Sequence, residues 1–283
     1  VWSLSTQYQN ASGWPSPPIY GLIMGGADAN GETDLIQRFD VNNGGTSTDF
    51  GTLTLDRNWL AAVGSSTRAV AGGGNSPYNN VLDYVEFATT GNATDFGDLT
   101  QTRGYLGAAS SSTRGLFAGG RLSDGSTLTN VIDYITIASV GNATDFGDMI
   151  AAIRLSSGLA SPTRAVFGGG TIDGSGNQNT IQYVTIASAG NASDFGDLSD
   201  TLYGTYACSS STRGLFAGGF NISTAVNVIQ YITIASTGNA TDFGDLTGIR
   251  GLGASLSSAT KGIFAGGQDN SVKLSSVEAV DYA

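Results

Sequence analysis

The sequence predicts an all-β fold, a six-bladed β-propeller with four antiparallel strands per blade, and three observations predict it. A short apolar run ends in a double glycine six times, at Gly25-Gly26, Gly73-Gly74, Gly119-Gly120, Gly169-Gly170, Gly218-Gly219 and Gly266-Gly267. Successive pairs lie 46 to 50 residues apart, so the 283 residues are one unit written six times. Each unit holds four short segments rich in Val, Ile, Leu, Phe, Tyr or Thr, and no stretch shows the sustained apolar spacing of a helix.

The copy that opens at Arg103 shows the elements in order. Its β segments cover 104–110, 115–120, 130–138 and 144–149, and each is bounded by Gly, Ser, Asn or Asp, which supply turn conformations that bulkier residues resist. Four strands in about 50 residues is the size of a propeller blade. The copies divide the chain into one domain with blades at 7–54, 55–100, 101–150, 151–199, 200–247 and 248–283, the last completed by residues 1–6. That completion is expected because the sixth copy reaches Ala283 just after its third strand, while Val1-Trp2-Ser3-Leu4-Ser5-Thr6 places Trp2 where other copies carry Phe. Pairing the two ends in this way closes the ring and leaves no sheet edge half built.

The two sides of such a disc differ in sequence. The turns joining strands one to two and three to four lie on one side and repeat almost verbatim. Ser-Ser-Thr-Arg stands at 65–68, 111–114 and 210–213, with Ser-Pro-Thr-Arg at 161–164. Gly-Asn-Ala-Thr/Ser-Asp-Phe-Gly-Asp stands at 91–98, 141–148, 190–197 and 238–245. Such recurrence is what architecture demands, since each blade must make the same contact with its neighbour. On the other side, the loops at 27–33, 75–79, 121–129, 171–178, 220–225 and 268–273 share no sequence. A surface whose blades differ is where recognition of one asymmetric ligand can reside. Aromatic residues gather there: Tyr78 and Phe220 in loops, and Trp59, Tyr105 and Tyr203 at or just after the links between blades. These five are the candidate ligand-binding residues, suited to stacking on sugar rings, although aromatics at strand starts also serve as core.

Composition removes several classes of chemistry. With no histidine there is no Ser-His-Asp or Cys-His catalysis and no His-ligated metal centre. The lone cysteine, Cys208, can form no internal disulfide and reads as a small buried apolar residue. Twelve basic against 23 acidic residues give a net charge of −11, which repels nucleic acid and anionic membrane surfaces, and no basic stripe is present. No run approaches the roughly 18 apolar residues of a membrane span, and no secretory signal is present. Neither cofactor nor nucleic-acid partner nor membrane insertion is expected.

The recurring motifs have plain readings. Asp-Phe-Gly at 95, 145, 194 and 242 matches the metal-binding triplet of protein kinases, but a triplet that recurs from copy to copy without a His-Arg-Asp loop makes no kinase. It also partly matches the Asp-box turn of sialidase-like propellers, with Ala93 and its equivalents in place of Ser; turn tightening by Asn and Asp, with Phe anchoring the outer strand, explains it better. Asn-Ala-Thr/Ser at 10, 92, 142, 191 and 239 and Asn-Ile-Ser at 221 fit the N-glycosylation sequon, four of them within the repeated turn. Asp95 and Asp98 and their equivalents have the chemistry for Ca²⁺, but are expected instead to meet Arg68, Arg114, Arg164, Arg213 or the backbone; no metal site is assigned. The variable-side acids Asp28, Glu32, Asp34, Asp56, Asp124, Asp173 and Asp200 single out no catalytic pair, so no catalytic residue is assigned and the chain is read as a non-enzyme.

The chain resembles kelch repeats. The resemblance rests on the apolar run meeting a double glycine (Gly115 to Gly120), a following Tyr134, a closing aromatic at Phe146 and Arg154 opening the next copy. Kelch repeats usually carry Trp at the closing position, where this chain has Phe50, Phe96, Phe146, Phe195 and Phe243. The phrase I-T-I-A-S-x-G-N-A-T/S-D-F-G-D, with S-S-T-R-G-L-F-A-G-G, is also similar to kelch-like repeat proteins of tailed bacteriophages, particularly marine ones. It covers copies two to six, while copy one departs from it at Asn42-Asn43-Gly44-Gly45-Thr46. That resemblance implies a virion structural protein, tail- or fibre-associated, located in the extracellular particle, with other virion proteins as partners; a homo-oligomer is compatible with it. The expectation is recognition of a host surface glycan or protein through the variable loops. The alternatives are a purely architectural capsid-decoration or fibre module and a glycan-cleaving propeller enzyme.

Overall fold

The computed structural model describes residues 20–28, 31–222 and 224–283. They form six antiparallel sheets set around an axis, the blades of a β-propeller, with no helix among them. Four blades show four strands; in the third these are Gly107–Ser110, Arg114–Ala118, Val131–Thr136 and Thr144–Asp148, ordered from the axis outward. The first blade shows Tyr20–Asp28, Gly31–Asp40 and Thr48–Thr52, and the last shows Ala254–Ser257, Lys261–Ala265 and Val277–Asp281. The expected pairing of residues 1–6 with the last blade lies outside the described residues. Closure is visible elsewhere: Gly21 of the first blade lies against Leu256 of the last, as Gly115 lies against Val63 and Gly214 against Leu159 at other blade boundaries.

The second strand of each blade is its apolar centre because neighbouring blades cover both of its faces. Leu116, Phe117 and Ala118 are fully buried, as are Val166 and Phe167 one blade on. Small and large residues alternate across the boundary: a Cβ on Gly72 would meet the Phe117 ring at 2.8 Å, and one on Gly168 the Phe216 ring at 2.8 Å. At the end of this strand the chain turns sharply under the next blade. Gly119 and Gly120 take φ of +64° and +111°, and a Cβ on Gly119 would lie 2.4 Å from the Ile153 carbonyl oxygen. The Gly120 N–H donates to that same carbonyl at 2.7 Å, so the pair permits both the conformation and the approach.

The repeated turns stitch each blade to its neighbour. Register shifts at Ile132/Asp133 leave Phe146 as the bulged residue of the outer strand, aiming its ring into the core and edge-on to Tyr134 at 5.8 Å. The same bulge recurs in the first, second, fourth and fifth blades, which accounts for the recurrent Asp-Phe-Gly. Asp145 caps the turn by accepting from the Gly147 N–H, while Gly141 and Ala143 N–H groups donate to Phe96 and Asp98 carbonyls of the preceding blade. The Asn142 side-chain oxygen accepts from the Asp98 N–H at 3.1 Å, and Asn191 and Asn239 repeat the contact. Asp95, Asp145 and Asp242 thus meet backbone; the arginines go elsewhere. Arg68, Arg114, Arg164 and Arg213 lie over Tyr84, Tyr134, Tyr183 and Tyr231, and each donates to a carbonyl of the next blade, as Arg114 does to Ile186 at 2.8 Å.

One buried exchange was not read from the sequence. Arg57–Asp83 at 2.8 Å and Arg103–Asp133 at 2.9 Å are fully buried ion pairs, and Arg250–Glu278 at 2.7 Å is nearly so. Where the fourth and fifth blades carry Ile153 and Leu202 instead of Arg, the acid becomes Gln182 and Gln230. Whether it belongs to an acid or an amide, the oxygen plays the same part. Asp133 accepts from the Thr100 N–H, Gln182 from Ile150 and Gln230 from Ser199, tying each blade to the link that enters it. Arg154 therefore does not open the fourth copy as Arg103 opens the third; Ile153 holds the buried place, and Arg154 falls one residue later, at the register of Asn58 and Gly104.

Candidate functional site

The predicted segment 104–110 becomes a strand only at Gly107, apart from the short Arg103–Gly104 pairing, because Tyr105 takes a left-handed φ of +62°. Trp59, Leu155, Gly204 and Leu252 occupy the same position in other blades, with φ between +52° and +62°. Their backbones form a hydrogen-bonded arc around the axis. Tyr105 N–H donates to Trp59 O at 2.8 Å, Leu155 to Tyr105 at 2.9 Å, Gly204 to Leu155 at 3.0 Å and Leu252 to Gly204 at 2.7 Å. The arc explains the conformation but not the side chains. Gly204 shows that glycine suffices there, whereas a residue with a side chain costs about 1 to 2 kcal/mol in this region.

Around this arc each blade sets the residue after its double glycine against a residue of the incoming link. The backbone pairs are Asn58 with Asn75, Gly104 with Arg121, Arg154 with Thr171, Tyr203 with Phe220 and Gly251 with Gln268. The frame is common and every pair is chemically different, so the variable face is a ring of interchangeable positions on a rigid scaffold.

Blades two to four make the densest cluster. Trp59 and Tyr105 stack with centroids 4.8 Å apart and an interplanar angle of 24°, and the Tyr78 ring lies 6.3 Å from Tyr105. The Asn75 amide donates to the Tyr105 hydroxyl at 3.2 Å. Arg121 and Arg154 each place the guanidinium carbon 6.0 Å from the Tyr105 centroid, at the outer limit of cation–π attraction. Both arginines reach Asp173, Arg121 at 2.6 Å and Arg154 through Nε at 3.3 Å. Burial alone would raise the Asp173 carboxyl, but the two arginines outweigh it and hold the group below the usual carboxylate range. Burial, then the neighbouring Tyr105, pushes the Tyr78 phenol upward, so it stays a neutral hydrogen-bonding group. Asp124 turns inward on its own loop, accepting from the N–H groups of Ser126 and Thr127 and from the Thr127 hydroxyl.

Of the five aromatic candidates, the structure brings Trp59, Tyr78 and Tyr105 together and sets Tyr203 and Phe220 apart as a stacked pair in blade five, centroids 5.5 Å apart. Phe220 is 7% exposed and lies over the backbone of Gly251, a position that fills space between blades. Sequence reasoning did not place Arg121 and Arg154 in the cluster. Their signal was a break in the repeat, since the equivalent positions hold Ala, Asn, Thr, Phe or Gln and Asn, Gly or Tyr. Asp173, one of seven scattered acids, gains meaning only from those two neighbours. Among the described residues no group of three or more His, Cys, Asp or Glu gathers to hold a metal ion, and no helix is long and apolar enough to cross a membrane.

Fold and site together define a class: a six-bladed β-propeller with one face stitched alike from blade to blade and the opposite face individual in every blade. No protein-family model matches the chain, and no curated protein sequence matches it.

Proposed function

We propose that the protein is a non-enzymatic recognition module, a virion component that binds a host surface glycan or protein through its variable face. The observation that carries the reading is the Trp59–Tyr105–Tyr78 cluster. Two large aromatics occupy a left-handed position where glycine is conformationally cheaper, and they do so on the face whose polar groups differ in every blade. Half-exposed aromatics beside planar polar groups are the usual make-up of a binding hot spot. The virion setting, tail- or fibre-associated, rests on the resemblance of the repeated phrase to kelch-like proteins of tailed bacteriophages, and electron microscopy of labelled particles tests it. For recognition, Trp59→Ala, Tyr78→Ala and Tyr105→Ala are expected to weaken attachment to host cells or glycans, each by about tenfold. Thr144→Ala, in the repeated turn of the opposite face, is expected to leave attachment unchanged. Loss of binding only in the repeated-turn variant would replace recognition with a purely architectural role.

A further inference from the structure

We propose that the cluster on blades two to four is a subsite for a carboxylate-bearing saccharide, with Arg121 and Arg154 holding the carboxylate while Trp59 and Tyr105 carry the sugar ring. The proposal deepens the recognition reading and rests on it. Its first support is the distribution of positive charge. Of 12 cationic side chains, Arg57, Arg103 and Arg250 are buried against carboxylates, and Arg68, Arg114, Arg164 and Arg213 serve the repeated turns. Lys261 stands at the same turn in the last blade, and Arg38 lies over Tyr20. On the variable face Lys273 donates to the Asp28 carbonyl, which leaves Arg121 and Arg154, and these two stand together.

The second support is the balance of donors and acceptors within the cluster. Two guanidinium groups share the single Asp173 carboxylate, each committing one nitrogen to it. The Asp124 carboxylate is engaged by its own turn. The cluster therefore has guanidinium donors in excess of the acceptors that Asp173 supplies. A planar guanidinium fork fits a carboxylate in a way that a hydroxyl does not match. The third support is adjacency: the guanidinium groups flank Tyr105, so a ligand carboxylate held by them brings the ring that bears it to the Trp59–Tyr105 stack. In a chain of net charge −11, two clustered arginines point to a specific anion, because the surrounding field opposes diffuse attraction of anions.

The test is a glycan array carrying matched pairs: a sialylated oligosaccharide with its desialylated form, and an oligogalacturonate with its carboxyl-reduced form. The parent protein, Arg121→Gln, Arg154→Gln and Asp173→Asn are compared, each first shown to melt like the parent, alongside attachment to a panel of bacterial strains. The parent is expected to prefer the acidic member of one pair by about tenfold or more, the contribution of a charge-assisted hydrogen bond, and to lose that preference as salt rises. Either Arg→Gln change removes the preference, and Asp173→Asn strengthens it by releasing both guanidinium groups. Equal binding to both members of each pair, no binding to any, or a preference that survives both arginine changes overturns the subsite. Strains that still attach in those cases leave the recognition reading standing. Absence of attachment to every strain and every glycan overturns that reading as well.

Discussion

At the scale of single residues, the exchange between Arg103–Asp133 and Ile153–Gln182 shows two solutions to one problem. The oxygen at position 133 or 182 must accept from the incoming link, and the space beside it is filled either by a guanidinium or by an apolar side chain. Arg103→Ile alone strands a buried carboxylate and is expected to cost about 3 to 5 kcal/mol. Arg103→Ile with Asp133→Gln reproduces the fourth blade and is expected to recover most of that loss; urea denaturation of the three proteins measures it. Cys208 gives a second prediction. Burial pushes its thiol up to about 12, so it should resist a thiol reagent at pH 8 and react only as the protein unfolds, tracking loss of β circular dichroism. The burial of Cys208 was legible from its place in an inner-strand segment, Tyr203 to Ser209. The Arg-to-acid exchange was not, because its partners lie far apart along the chain and pair only once the blade is folded.

At the scale of elements, the double glycine and the bulge each solve one geometric problem. Gly119→Val places a branched side chain at a φ of +64° and 2.4 Å from a carbonyl oxygen, and is expected to destabilise by about 1 to 3 kcal/mol or more. An unchanged denaturation midpoint would contradict it. Phe146→Ala empties the bulge and is expected to cost about 3 to 5 kcal/mol, read in the same experiment. The recurrence of both motifs was plain in the sequence, since a structural demand repeated in every blade repeats its residues. Their mechanism was partly hidden. The Asp of Asp-Phe-Gly looked available to arginine or calcium, yet the bulge turns its carboxylate onto the next-but-one N–H, and the arginines are drawn to tyrosine faces and carbonyls of the adjoining blade.

At the scale of the whole molecule, repetition makes a rigid ring and leaves its individuality to one face. The ring and its four-strand blades could be read from periodicity, because each blade buries the same strand against its neighbours. The candidate site could be read only in part. Trp59, Tyr78 and Tyr105 stood out as aromatics on the variable side, but Arg121 and Arg154 belong to different blades and meet at Asp173 only when the ring brings the third and fourth blades side by side. The left-handed arc supplies the sharpest test of the central claim, that the variable face recognises a ligand. Since Gly204 already occupies this position in blade five, the double variant Trp59→Gly with Tyr105→Gly suits the backbone and removes only the aromatic surface. Attachment to host cells is the measurement, at matched melting temperature. The account predicts a fall of more than about tenfold for this variant, and undiminished attachment by a protein that melts like its parent would contradict it.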